Sequence, residues 1–225
     1  MSERAASGPK VVSDADREGF AAFLLRMRTA GIDNKSLMSS IEAIPRRQFV
    51  EPQFHHVAMG SRTIPIGCGE TLEGLDLQAR ILHELDLDAG QRVLEIGTGT
   101  GFTACVLSKL VKRVYTVERF KTLHGEAMHR MRHLGIGNIV SEHCDGAAGS
   151  SEGPFDRIVC WAAFETVPRA FVEQLVSGGR MVCPLGPADQ PQNLVRMTKV
   201  GSRFEREDIG AVRFQPIEHG LPAFL

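Results

Sequence analysis

Gln91 to Gly101 reads QRVLEIGTGTG, and no other stretch restricts the fold of this chain so tightly. Val93, Leu94 and Ile96 form a short apolar run of the kind seen in a parallel strand covered on both faces. Glycine then alternates with threonine from Gly97 to Gly101, so the backbone must turn sharply and can approach a ligand closely. Phe102 to Val111 (FTACVLSKLV) carries apolar residues at helical spacing. Strand, glycine loop and helix in that order make the first unit of a nucleotide-binding α/β domain.

The alternation continues downstream. Further strands are predicted at Arg113 to Val117, Asn138 to Glu142, Phe155 to Trp161 and Arg180 to Pro184, with helices at Leu123 to Leu134 and Val167 to Leu175. Pro168 is allowed in the first turn of the latter helix, and Ser177-Gly178-Gly179 reads as a turn. Asn193 to Val200 and Ile209 to Phe214 have no helix-length segment between them, so they should pair antiparallel. Upstream, Phe20, Phe23, Leu24 and Met27 mark an amphipathic helix over Asp16 to Ala30. Asn34 or Asp33 caps a second helix, Lys35 to Ala43, and Leu75 to Leu87 makes a third. Residues 1–15 read as a disordered tail, 16–90 as a helical extension with an irregular segment, and 91–225 as the ligand-binding domain, one unit with 16–90. The fold class is α/β: a mostly parallel sheet with helices on both faces.

Composition narrows the function. At 225 residues and 43% hydrophobic the chain can bury one sizeable core. A net charge of −1 offers no basic field for nucleic acid, and no apolar run reaches membrane-spanning length. With a polar N-terminus, a cytoplasmic location is expected. The five cysteines are an odd number without zinc spacing, and neither His55-His56 nor His124 with His129 has a carboxylate or cysteine suitably placed, so no metal is expected. Cys68, between two glycines, is the thiol to watch for reactivity, and Arg46-Arg47 reads as a solvated pair.

In sheets of this type ligands bind outside the carboxyl ends of the strands. That rule brings Gly97, Thr98, Gly99, Thr100 and Gly101 together with Glu118, Arg119, Asp145, Gly146 and Trp161 at one crevice, with Glu95 just before the loop. The loop lacks the lysine of a phosphate loop, so a triphosphate fits poorly. Glu118 can accept ribose hydroxyls and Asp145 an adenine amino group. Three carboxylates without a base in the loop suit a ligand with hydroxyls, an amine and a positive centre, and S-adenosylmethionine has all three.

VLEIGTGTGF, VYTVER, the Asp145-Gly146 pair, PFDRIV and GGRMVCPLG, with IPRRQFVEP and IPIGCGETL upstream, resemble the protein-L-isoaspartate O-methyltransferase family from about Phe20 to Phe214. The resemblance implies a Rossmann-like methyltransferase fold, S-adenosyl-L-methionine as cofactor, and methyl transfer to the free carboxylate of isoaspartyl residues in damaged proteins. It also implies that Thr71, Leu72 and Glu73 form the acceptor side. There the family has G-Q-T-I-S-Q-P against GETLEGL here, so Glu73 replaces a serine and Glu70 a glutamine, while Trp161 stands where the family tends to carry threonine. A carboxylate at Glu73 facing a carboxylate acceptor would repel it. Transfer to another acceptor, or cofactor binding with little catalysis, therefore stays open beside isoaspartyl methylation.

Overall fold

The computed structural model describes residues 14–222. Helices α1 (Asp14–Thr29) and α2 (Lys35–Ala43) come first, and the Asn34 side chain caps α2 by accepting from the Leu37 N–H at 3.0 Å. Two short strands, β1 (Ile64–Pro65) and β2 (Thr71–Leu72), then pair antiparallel as a small hairpin. After α3 (Leu75–Glu84) follow β3 (Arg92–Ile96), α4 (Phe102–Leu107), β4 (Arg113–Glu118), α5 (Lys121–His133), β5 (Ile139–His143), β6 (Phe155–Cys160) and α6 (Arg169–Gln174). The chain ends in β7 (Leu175–Leu185), β8 (Gln192–Val200) and β9 (Arg203–Val212).

The large sheet has the order β5-β4-β3-β6-β7-β8-β9, parallel from β5 to β7 and antiparallel through β8 and β9. Side chains alternate between two cores, as a two-residue period requires. Val93, Val114, Val159 and Val182 face a core shared with α1 through α5; Leu94, Tyr115, Ile158 and Met181 face the other, where Phe171 of α6 packs. Such doubly covered strands are the near-continuous apolar runs seen in the sequence. Among the described residues no helix is long and apolar enough to cross a membrane.

Several elements differ from their expected bounds: β9 runs from Arg203 to Val212 where Ile209 to Phe214 is expected, pairing with β8 along its length, and three others differ for a local reason. Helix α3 stops at Glu84 because Asp86 takes a left-handed φ of 52° and Arg157 captures the Leu85 and Asp86 carbonyls at 2.5 and 3.0 Å. Helix α4 ends at Leu107, after which Lys109 and Leu110 donate to carbonyls three residues back, so the chain tightens instead of continuing to Val111. The expected turn at Ser177-Gly178-Gly179 lies inside β7, as a bulge between the Phe155–Leu175 and Arg157–Arg180 pairings. Pro168 stands at the N-cap of α6, just outside its first turn. The expected tail of residues 1–15 lies almost wholly outside the described residues.

Candidate active site

Strand β3 lies between β4 and β6, so the loop leaving it opens at the switch point where a doubly wound sheet forms its crevice. A cleft open to solvent lies there. Gly97 and Gly99 form one wall, Ile96, Val117, Gly146 and Ile217 an apolar one, and Glu70, Thr71, Glu118, Arg119, Trp161 and Glu218 contribute polar groups.

The loop is shaped by its glycines. Gly97, Gly99 and Gly101 have φ of 91°, 52° and 88°. A Cβ on Gly101 would also press to 3.1 Å from Ala127 and Met131 of α5, so loop and helix close together only over glycine. The N–H groups of Gly97 and Thr98 donate to the Val117 carbonyl at 3.0 and 3.1 Å, stitching the loop to the end of β4. Glu118, next along β4, is buried and accepts from the Gly99 N–H at 2.8 Å and the Phe120 N–H at 3.0 Å. Each of its oxygens keeps a lone pair for a ligand hydroxyl.

Gly146 approaches the apolar wall so closely that a Cβ there would lie 2.9 Å from Ile96 Cγ2. A flat aromatic base suits that wall. Asp145 was expected to meet the base. Its carboxylate is instead turned to the N–H groups of Ala147 (2.9 Å) and Gly220 (2.7 Å), and it is Gly146 that lines the cleft. Burial pushes the Asp145 carboxyl up, but those two N–H groups, with His219 and Arg119, outweigh it and hold the group below its ordinary value.

Glu95 also stands apart from its expected place. Strand alternation sends it to the same face as Val93, where it is fully buried behind the loop. It accepts from Thr103 at 2.5 Å, Thr116 at 2.7 Å and the Trp161 indole at 2.9 Å. Because the Thr116 proton goes to Glu95, Thr98 donates to Thr116 across 2.6 Å, which ties the loop to this network. Burial raises the Glu95 carboxyl to about 7, against the three donors that lower it. Thr98 and Thr100 are buried side chains supporting the loop from behind.

On the acceptor side, Thr71 lines the cleft, whereas Leu72 packs inward with Val50, Ala58 and Ile64. The Glu73 carboxylate sits behind Thr71, accepting from the Thr63 hydroxyl at 3.1 Å and meeting the Thr71 hydroxyl at 3.5 Å. Burial raises its carboxyl and these hydroxyls partly offset the effect. Arg46, expected on a solvated face, is 1% exposed. It donates to the Ala58 carbonyl (2.7 Å), the Glu73 carbonyl (2.7 Å) and Gln78, with its guanidinium 4.4 Å from the Phe102 ring centroid. Burial lowers it to about 9, and it fastens the β1–β2 hairpin to α3 and α4. Cys68 has its thiol pushed up by burial and then by Glu118, Glu126 and Glu70, so its surroundings oppose a reactive thiolate.

Sequence reasoning missed the segment after β9. Gln215 to Glu218 lines the cleft, held by Ala163 N–H to Gln215 O and Ile217 N–H to Ala163 O (both 2.8 Å), Gln215 to Gly69 O (3.0 Å) and an Arg119–Glu218 ion pair. Its mixed composition carries no periodicity that could have announced it.

The model of the family Protein-L-isoaspartate(D-aspartate) O-methyltransferase (PCMT) matches residues 20–221. A protein-L-isoaspartate O-methyltransferase of Rhizobium meliloti is 42% identical over 89% of this chain and 99% of its own length. One of Azorhizobium caulinodans is 40% identical over 95% and 99%. Among solved structures, a protein-L-isoaspartate O-methyltransferase superposes with a TM-score of 0.79 at 24% identity, over 89% of this chain and 66% of that one. A putative Plasmodium falciparum enzyme in complex with S-adenosyl-L-homocysteine gives 0.76 at 21%, over 88% and 97%, so the fold is the Rossmann-like methyltransferase fold. With the family model spanning nearly the whole chain and full-length relatives at about two residues in five, this protein belongs to the protein-L-isoaspartate O-methyltransferase family.

Proposed function

We infer that the chain is an S-adenosyl-L-methionine-dependent methyltransferase acting on the free carboxylate of L-isoaspartyl residues in damaged proteins or peptides, in the cytoplasm. The observation that carries this reading is the convergence of the glycine loop, Glu118, Gly146 and Thr71 on one cleft. The donor set fits the cofactor: an acidic rim for its cationic part, Glu118 for the ribose, and the wall of Ile96, Val117, Gly146 and Ile217 for the base.

When bound, the cofactor supplies an electrophilic methyl on a sulfonium, which passes to the acceptor oxygen while the bonding pair stays on sulfur. An ionised carboxylate needs no general base for this; it needs alignment and exclusion of water. In this reading Gly97 and Gly99 hold the methionine part and Glu118 fixes the sugar. Gln215 to Glu218 borders the far side of the cleft, and Thr71 borders the acceptor side, where its one hydroxyl proton reaches the acceptor only by leaving its 3.5 Å contact with Glu73. Arg46 positions Thr71 by gripping the Glu73 carbonyl from beneath.

Glu73 does not block this reaction. Its carboxylate is bonded behind Thr71, accepting from Thr63 and meeting the Thr71 hydroxyl, and is turned away from the cleft lining. The test is calorimetric titration with S-adenosylmethionine alongside a methyl-release assay on an isoaspartyl peptide, with Glu73→Ser beside the wild type. Wild-type turnover is expected, with a gain in the serine variant below about tenfold, since one tenfold step equals about 1.4 kcal/mol of barrier. Cofactor binding without transfer in both proteins would overturn the acceptor assignment. Transfer only in Glu73→Ser would restore Glu73 as the obstacle.

A further inference from the structure

The acidic side of the cleft is out of balance. Glu70, Glu118 and Glu218 line it against a single cation, Arg119, which is paired with Glu218. Glu118 is engaged by two backbone N–H groups. Glu70 alone of the three has no direct partner: half-buried, lining the cleft, with no hydrogen bond or ion pair to its carboxylate among the described residues. Its backbone is fixed, since Ile66 donates to its carbonyl at 2.9 Å and its own N–H reaches the Gly67 carbonyl at 3.2 Å. Burial, then Glu118 and Glu218, raise its proton affinity, with Arg119 opposing them. A carboxylate carried on a fixed backbone, and opposed only by an Arg119 already paired elsewhere, is stabilised by a ligand that brings a positive charge.

S-adenosylmethionine and S-adenosylhomocysteine differ by a methyl group and one positive charge. Resting on the cofactor reading above, we propose that Glu70 is a specificity-determining residue that makes the cleft prefer the cationic methyl donor over the neutral product. Every turnover converts the ligand from the charged form to the neutral one in place. A carboxylate at this place therefore loosens its ligand at the moment transfer is complete, which speeds exchange and weakens product inhibition. The neutral glutamine at the corresponding position of the family motif lacks this lever.

The experiment measures affinities of the full chain by titration calorimetry with S-adenosylmethionine, S-adenosylhomocysteine and sinefungin, whose ammonium replaces the sulfonium. Glu70→Gln keeps the shape and removes the charge; Glu70→Ala repeats the measurement without an amide. A half-exposed charge is worth on the order of three- to tenfold in affinity once solvent screening is counted. Both variants should lose that factor for S-adenosylmethionine and sinefungin, with S-adenosylhomocysteine held within about twofold, and the difference should shrink in high salt. Glu173→Gln, which removes the same charge from a solvent-facing pair with Arg169 on α6, should leave the ratio unchanged. Equal loss for all three ligands would make Glu70 a structural residue and overturn the proposal, as would no change for any. A wild-type protein that binds none of the three would overturn the cofactor reading itself, and this inference with it.

Discussion

Replacing Glu95 by glutamine should change how stability responds to pH, and by a calculable amount. Glu95 is wholly buried, and its carboxyl moves from an ordinary 4.5 to about 7 in the folded protein. Between those values the unfolded chain has released the proton and the folded one retains it. The folded state therefore binds more protons, and stability falls as pH rises through that window. At about 1.4 kcal/mol per pH unit, the gap between 4.5 and about 7 amounts to a loss of about 3 kcal/mol, fully present above neutrality and absent below about pH 4.5. Glutamine can still accept from Thr103 and Trp161, and it carries no proton to lose. Urea unfolding of wild type and Glu95→Gln, measured from about pH 4.5 to about pH 8, should give a difference curve that descends by about 3 kcal/mol in favour of the variant. Subtracting the two proteins removes every group that titrates in both. A flat difference curve would refute the reasoning, because it would mean that Thr103, Thr116 and Trp161 together repay the whole desolvation of the charge.

Trp161→Phe removes one of the three donors while keeping an aromatic ring in the cleft wall, so the descending part of that curve should move to higher pH, and neutral-pH stability should drop by about 1–3 kcal/mol; an unmoved midpoint would show that the indole bond is idle. Arg46→Met strips the donors from the Ala58 and Glu73 carbonyls and from Gln78 at once, and a loss of about 3–5 kcal/mol in denaturant midpoints is expected, with amide exchange in β1 and β2 rising before that of the large sheet. A loss below about 1 kcal/mol would mean that the guanidinium is not the clamp described.

The strand ends were legible in the sequence because two signals coincide there: a short apolar run closing on glycine or an acidic residue, and a helical period resuming just after it. Ile96-Gly97 and Val117-Glu118 read correctly for that reason, while the strand expected over Phe155 to Trp161 ends one residue earlier, at Cys160, and the sheet assembles all three ends at one rim. Arg46 and Arg47 show where the reading fails. Adjacent residues in a tight 3-10 turn point in different directions: Arg47 reaches Asp16 in an ion pair of 2.5 Å, while Arg46 enters the core toward acceptors 12 to 32 residues away. Nothing local distinguishes them. The orientation of Asp145 is hidden in the same way, since its second partner, the Gly220 N–H, lies 75 residues downstream in a segment without periodicity. Glu95 could have been placed correctly, because the two-residue period that puts Val93 on the α4 face puts Glu95 there as well.

The four glutamates around the glycine loop make the general point about reading charge from sequence. Each is one letter in a motif, yet partners decide what each carboxylate can do. Three donors enclose Glu95, two threonine hydroxyls flank Glu73, and two backbone N–H groups orient Glu118. In each case local donors fix where the carboxylate points. Glu70 has no such partners and keeps its field in the cleft. The sequence marks Glu73 as the disruptive residue because it replaces a serine of the family motif. Hydrogen bonding transfers that role to its neighbour three positions earlier, where the same charge works in favour of a cationic cofactor and against its neutral product.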